Sequence, residues 1–84
     1  MKTLQELGAA VAAKRKDRHL TQEEVARQSG LTRELVSRFE RGRVAELGAR
    51  KLLSVLAILG LEMSFVETGT SGLLDELRRE RGGA

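Results

Sequence analysis

Between Thr32 and Arg43 the chain sets out side chains suited to gripping and reading nucleic acid. Val36 and Phe39 stand three apart, the spacing of two neighbours on one helix face. With these turned inward, Arg33, Glu34, Ser37, Arg38 and Arg41 are left pointing outward. Arginine can pair bidentately with guanine, and glutamate can accept from cytosine. Arg33, Glu34, Ser37 and Arg38 fall at the start of the helix and one turn on, where base edges would be reached. Arg41 and Arg43, beyond its end, are phosphate candidates, since cationic contacts to phosphate position a protein on a duplex.

The elements that must carry these residues are legible in LTQEEVARQSGLTRELVSRFERG, Leu20 to Gly42. Thr21 and Glu24 have capping-box spacing, in which each side chain satisfies an orphan backbone N–H at a helix start. Val25 and Ala26 give that helix an apolar side, and Ala26 is small enough for a close crossing. Gly30 suits a left-handed turn, and Thr32 can cap the next helix. Two short helices joined by a tight turn, the second rich in arginine, make a helix-turn-helix whose second helix enters the major groove.

No catalytic constellation accompanies it. Glu23, Glu24, Glu34 and Glu40 sit among basic residues, with no second histidine, no cysteine and no glycine-rich phosphate loop. The sequence therefore predicts no enzyme, metal site or cofactor. Eighty-four residues make one small domain, near the size at which a single core is marginal and association helps. The absence of cysteine suits a reducing cytoplasm. The amino terminus lacks a signal-peptide apolar block, and the longest apolar run, Val55–Leu59, is too short to span a bilayer. A cytoplasmic chain with no membrane partner is the expectation. Net charge is +3, and residues 1–42 hold nine Lys/Arg against six Asp/Glu, while residues 43–84 balance at six each. The positive surplus thus lies on the half that holds the arginine-rich helix, as a phosphate-facing surface requires.

The remaining pattern predicts four helices, a strand and a tail. Thr3 and Glu6 can cap a first helix to about Arg18 with Leu4, Leu7 and Val11 on one side, and His19, a residue that tolerates positive φ, can end it. A fourth helix runs from after Gly48 to Leu59 and stops at Gly60. Leu52, Val55, Leu56 and Leu59 suffice to cover the other helices, yet Leu53, Ala57 and Ile58 make the other faces apolar too, so the helix should be buried nearly all round. A second copy of the chain, joined through a two-fold interface, would do this. In Leu61–Glu67, Leu61, Met63 and Phe65 alternate with polar residues, the period of a half-buried strand, and a lone strand would find its partner in the second copy. Leu53, Ile58, Leu61, Met63 and Phe65 are the expected dimer residues. Residues 1–67 form the DNA-binding and dimerisation unit, and residues 68–84 a tail in which Leu73, Leu74 and Leu77 can stripe a short helix.

Taken in order, Leu7-Gly8 with Val11 and Arg15, then LTQEE, the arginine-bearing helix and KLLSVLAILGLEM resemble the XRE family, typified by the Cro and lambda-type phage repressors. The resemblance covers roughly Leu4 to Leu61. The chain departs from it at His19, where glycine is usual, and in lacking the common proline before the closing helix. The resemblance implies an all-α, lambda-repressor-like domain of four to five helices that binds double-stranded operator DNA as a homodimer and represses transcription. It assigns base reading to Arg33, Glu34 and Arg38, phosphate binding to Gln22 with the start of its helix, and a salt bridge to Arg15 and Glu40. The closing helix followed by a strand resembles HipB-type antitoxins, whose dimer is completed by an intermolecular ribbon. That finer resemblance implies an autoregulating antitoxin with a HipA-like kinase toxin as partner. The alternative is a freestanding XRE regulator, such as a phage-type repressor or restriction-modification controller.

Overall fold

Four helices follow one another in the computed structural model, which describes residues 3–67. They are α1 (Leu4–Asp17), α2 (Gln22–Ser29), α3 (Arg33–Glu40) and α4 (Ala49–Ile58). The expected tail helix around Leu73, Leu74 and Leu77 lies outside the described residues. No helix among the described residues is long and apolar enough to cross a membrane.

Threonine starts the first three helices. Thr3 Oγ1 accepts from the Glu6 N–H at 3.0 Å, and Thr32 Oγ1 accepts from the Leu35 N–H at 3.1 Å. At Thr21 the capping box is complete: Thr21 Oγ1 accepts from the Glu24 N–H at 3.0 Å, and Glu24 Oε1 accepts from the Thr21 N–H at 2.9 Å. The bond from the Thr21 N–H, reinforced by the Thr21 side chain, holds the Glu24 carboxyl below its usual range, because both favour the charged form. Gly48 opens α4 with no side-chain cap.

All four helices end in one way. A residue with positive φ follows the last turn, His19 at 57°, Gly30 at 75°, Gly42 at 71° and Gly60 at 72°. The N–H after it then reaches back across the turn: Leu20 to Arg15 O, Leu31 to Ala26 O, Arg43 to Arg38 O and Leu61 to Leu56 O, at 2.8–3.1 Å. These are Schellman closures, which satisfy carbonyls that the helix end leaves orphaned. His19 takes the left-handed conformation where glycine is usual, as its tolerance of positive φ predicts. In three of the four closures the following residue is a leucine (Leu20, Leu31, Leu61), partly buried against the core.

The core is Val11 from α1, Val25 and Ala26 from α2, Val36 and Phe39 from α3, and Leu52, Val55, Leu56 and Leu59 from α4 and its cap. The expected inward faces of all four helices are thus the observed ones. A second device joins α1 to α3. A Cβ built on Gly8 would lie 2.0 Å from the Phe39 carbonyl oxygen, so glycine here lets the two backbones meet.

One expectation needs correction for the single chain. Leu61–Glu67 is not a strand, and among the described residues there is none. The Leu61 N–H closes the α4 cap and its side chain packs on the core, so the apparent alternation begins with a helix-capping residue. What remains, from Glu62 onward, has no ladder to join within one chain. The residues expected at a dimer interface differ in their exposure within one chain. Ile58 and Leu61 are partly buried against their own core, whereas Leu53 is 49% exposed, Met63 46% and Phe65 94%.

Candidate nucleic-acid interface

The site is built on α3. Burial of Val36 and Phe39 fixes the rotation of this helix, and Arg33, Glu34 and Arg38 are consequently exposed while Ser37 is half-buried. Arg41 is the C-cap residue of α3, and the Arg43 N–H closes that cap on Arg38 O at 2.9 Å. Both are exposed, so two cationic side chains project from a backbone held in place. Thr32 Oγ1 accepts from the Leu35 N–H as the α3 N-cap, which leaves its O–H as a donor.

At the other end of the motif lies an open notch of about 750 Å³ lined by Arg15, Leu20, Thr21, Gln22, Glu23 and Arg33. It brings the start of α2 next to the start of α3. First-turn N–H groups and the positive end of a helix dipole suit an anion, and Arg33 adds a full charge. Glu23 in the same lining carries the opposite charge, and the notch is wide enough to admit a stretch of backbone rather than one enclosed ion.

Behind the notch is a buried polar network. Arg15 Nε donates to Glu40 Oε2 at 2.7 Å and Arg15 Nη2 to Glu40 Oε1 at 2.9 Å, a bidentate pair between α1 and α3. The side chains are only 10% and 4% exposed. Arg15 Nη1 also donates to Leu20 O at 2.8 Å, and Gln22 Nε2 donates to Glu40 Oε1 at 2.9 Å. The hydrogen bond to Glu40 raises the Arg15 pKa further above its already high value, so the guanidinium stays charged. The pair that the resemblance implied is therefore present, but it is a buried, bidentate one. Its loss from one side leaves an uncompensated charge, which is costly.

The expected site residues thus fall into separate places. Arg33, Glu34, Ser37, Arg38, Arg41 and Arg43 lie on or just beyond α3, Gln22 sits in the notch, and Thr32 caps the helix. Sequence reasoning passed over the link from Gln22 to Glu40, and also the basic run Lys14-Arg15-Lys16-Asp17-Arg18-His19 that leads into the notch. In that run Lys16, Arg18 and His19 are exposed. The signal available was the charge run itself. Among the described residues no cluster of His, Cys, Asp or Glu could hold a metal ion.

Comparison with known proteins agrees with this geometry. A helix-turn-helix family model, HTH_3, matches residues 11–66. The ImmF control region 10 kDa protein of Bacillus phage phi105 is 45% identical over 53 residues, which is 63% of this chain and 57% of the phage protein. The chain thus aligns with little more than half of that relative's length. Among solved structures, the clp gene regulator ClgR from Corynebacterium glutamicum superposes with a TM-score of 0.67 at 30% identity, covering 95% of this chain and 73% of that one. A family model over two thirds of the sequence and a lambda-repressor-like arrangement of four helices place this chain in the XRE-type helix-turn-helix family of DNA-binding regulators.

Proposed function

We propose that this chain is a sequence-specific transcriptional repressor that occupies a roughly palindromic operator as a homodimer in the cytoplasm. The observation that carries the reading is the exposed set Arg33, Glu34 and Arg38 on a helix whose rotation is fixed by Val36 and Phe39, beside an open notch at the start of α2. Arg33, Glu34, Ser37 and Arg38 read bases; Gln22, Arg41 and Arg43 hold phosphates; Thr32 fixes the start of the reading helix. Dimerisation is supported by the apolar surface that one copy leaves exposed at Leu53, Met63, Phe65 and Val66. In the dimer two α3 helices would sit about 34 Å apart, one turn of duplex.

The relatives are a phage control-region protein and a clp gene regulator. They support a freestanding regulator over a HipB-type antitoxin with a HipA-like kinase toxin as its partner. Fluorescence anisotropy with the duplex upstream of the chain's own reading frame tests the function. Arg33→Ala or Arg38→Ala should cost about 1–3 kcal/mol on the specific duplex and relax preference at one base pair, while Arg43→Ala should weaken all sequences alike. Equal loss on specific and random duplexes for Arg33→Ala would remove its base-reading role.

A further inference from the structure

We propose that Glu40 is a positioning residue for DNA binding: clamped by Arg15, it orients the Gln22 amide so that Gln22 can donate to a backbone phosphate in the notch. The inference rests on the DNA-binding reading above and adds to it a coupling between the buried ion pair and the grip on the duplex.

A side-chain amide nitrogen carries two N–H groups, and Gln22 Nε2 gives one of them to Glu40 Oε1 at 2.9 Å. The same oxygen accepts from Arg15 Nη2, and its neighbour Oε2 accepts from Arg15 Nε. With the carboxylate held in that fork, the bond from Gln22 selects one amide orientation and leaves the second N–H as a donor. Gln22 is only half-buried, and its side chain lines the notch with Thr21, Glu23 and Arg33. An unrestrained glutamine there would turn either its oxygen or its nitrogen toward the notch, and an oxygen facing a phosphate is repulsive. Glu40 removes the wrong orientation in advance, since its carboxylate only accepts.

Charge sharpens the inference. A carboxylate near a phosphate-binding surface has the wrong sign for DNA. The Arg15 fork neutralises Glu40 and buries it to 4% exposure, so it can serve as an acceptor without an open negative field. Removing Glu40's charge should, by Coulomb's law alone, strengthen DNA binding. A positioning role acts in the other direction, and only through Gln22.

A double-mutant cycle on random duplex at fixed salt separates the two effects. Gln22→Ala in the otherwise unmodified chain should weaken binding about tenfold or more, as expected for a hydrogen bond to a charged group. In a Glu40→Gln background the same substitution should cost less than about threefold, because the amide is already misoriented. The Coulombic gain from Glu40→Gln is common to both arms and cancels. An equal factor in both backgrounds would overturn the proposal while leaving the DNA-binding reading intact. No duplex binding by the unmodified chain would overturn both. Should Glu40→Gln fail to fold, the unmodified chain still decides the matter by NMR of the Gln22 side-chain amide. One proton should keep its shift when duplex is added, being bonded to Glu40, and the other should move. Both moving, or neither, would overturn the proposal.

Discussion

A single carboxylate, Glu40, joins the stability of the fold to its recognition surface. Its bonds to Arg15 and Gln22 tie α1, α2 and α3 together, and the Arg15 and Glu40 side chains are only 10% and 4% exposed. Arg15→Ala should therefore destabilise the chain by about 3–5 kcal/mol, the cost of leaving one member of a buried pair uncompensated, as read from urea unfolding. A loss under about 1 kcal/mol would mean that the pair behaves as a surface ion pair. The pair itself came from family resemblance, and its burial was not legible: Arg15 and Glu40 lie 25 residues apart, and only the packing of α1 on α3 reveals that water is excluded. Arg33, Glu34 and Arg38 were legible because their exposure follows from the local spacing of Val36 and Phe39. Gln22's bond to Glu40 was not, because a hydrogen bond between two helices is set by tertiary geometry.

Helix boundaries were the most readable feature at the level of elements. Threonine caps and positive-φ stops act within a turn of their own position, so Thr21, Thr32, His19, Gly30, Gly42 and Gly60 announce themselves. The same locality explains the failed strand. Period-two alternation in Leu61–Glu67 could not reveal that the Leu61 N–H was already taken by the α4 cap. Gly8 was also under-read. Alanine is the better helix former by about 1 kcal/mol, so glycine in mid-helix signals a constraint. Gly8→Ala should nevertheless destabilise by about 1–3 kcal/mol or more, because the new Cβ would lie 2.0 Å from the Phe39 carbonyl oxygen. A raised melting temperature would show that α1 and α3 can separate without loss. The Glu24 cap gives a pH signature. Its folded pKa is lowered by the Thr21 bonds, so its contribution is fully present above the ordinary carboxylate range and disappears as pH falls through the lowered folded value. Thermal unfolding from neutral to acid pH should therefore show a shallower loss for Glu24→Gln than for the unmodified chain, and superimposable pH profiles would contradict this.

For the whole molecule, one copy presents a reading helix but leaves a considerable apolar surface uncovered. Phe65 is 94% exposed and Val66 78%, beside a groove of about 560 Å³ with Leu7, Ala10, Val11, Leu56 and Leu61 in its lining. Surface of this kind marks an interaction site, and a second copy would both cover it and supply the second α3 that a palindrome requires. Sedimentation of the unmodified chain should show a dimer at micromolar concentration, and Phe65→Glu, which places a charge on that surface, should shift it toward monomer. A monodisperse monomer before any substitution would contradict the dimer. Overall architecture was legible because the inward faces of all four helices repeat at helical spacing; the exposure of Phe65 and Val66 was not, because they lie in a segment with no regular structure of its own. The claim on which everything else depends is that α3 reads sequence, and selection from a pool of random duplexes tests it most directly. The unmodified chain should enrich paired half-sites whose centres lie about 10–10.5 base pairs apart, and Arg33→Ala should lose discrimination at one position in each half. Retention of duplex without any enriched sequence, or no retention at low salt, would contradict the account.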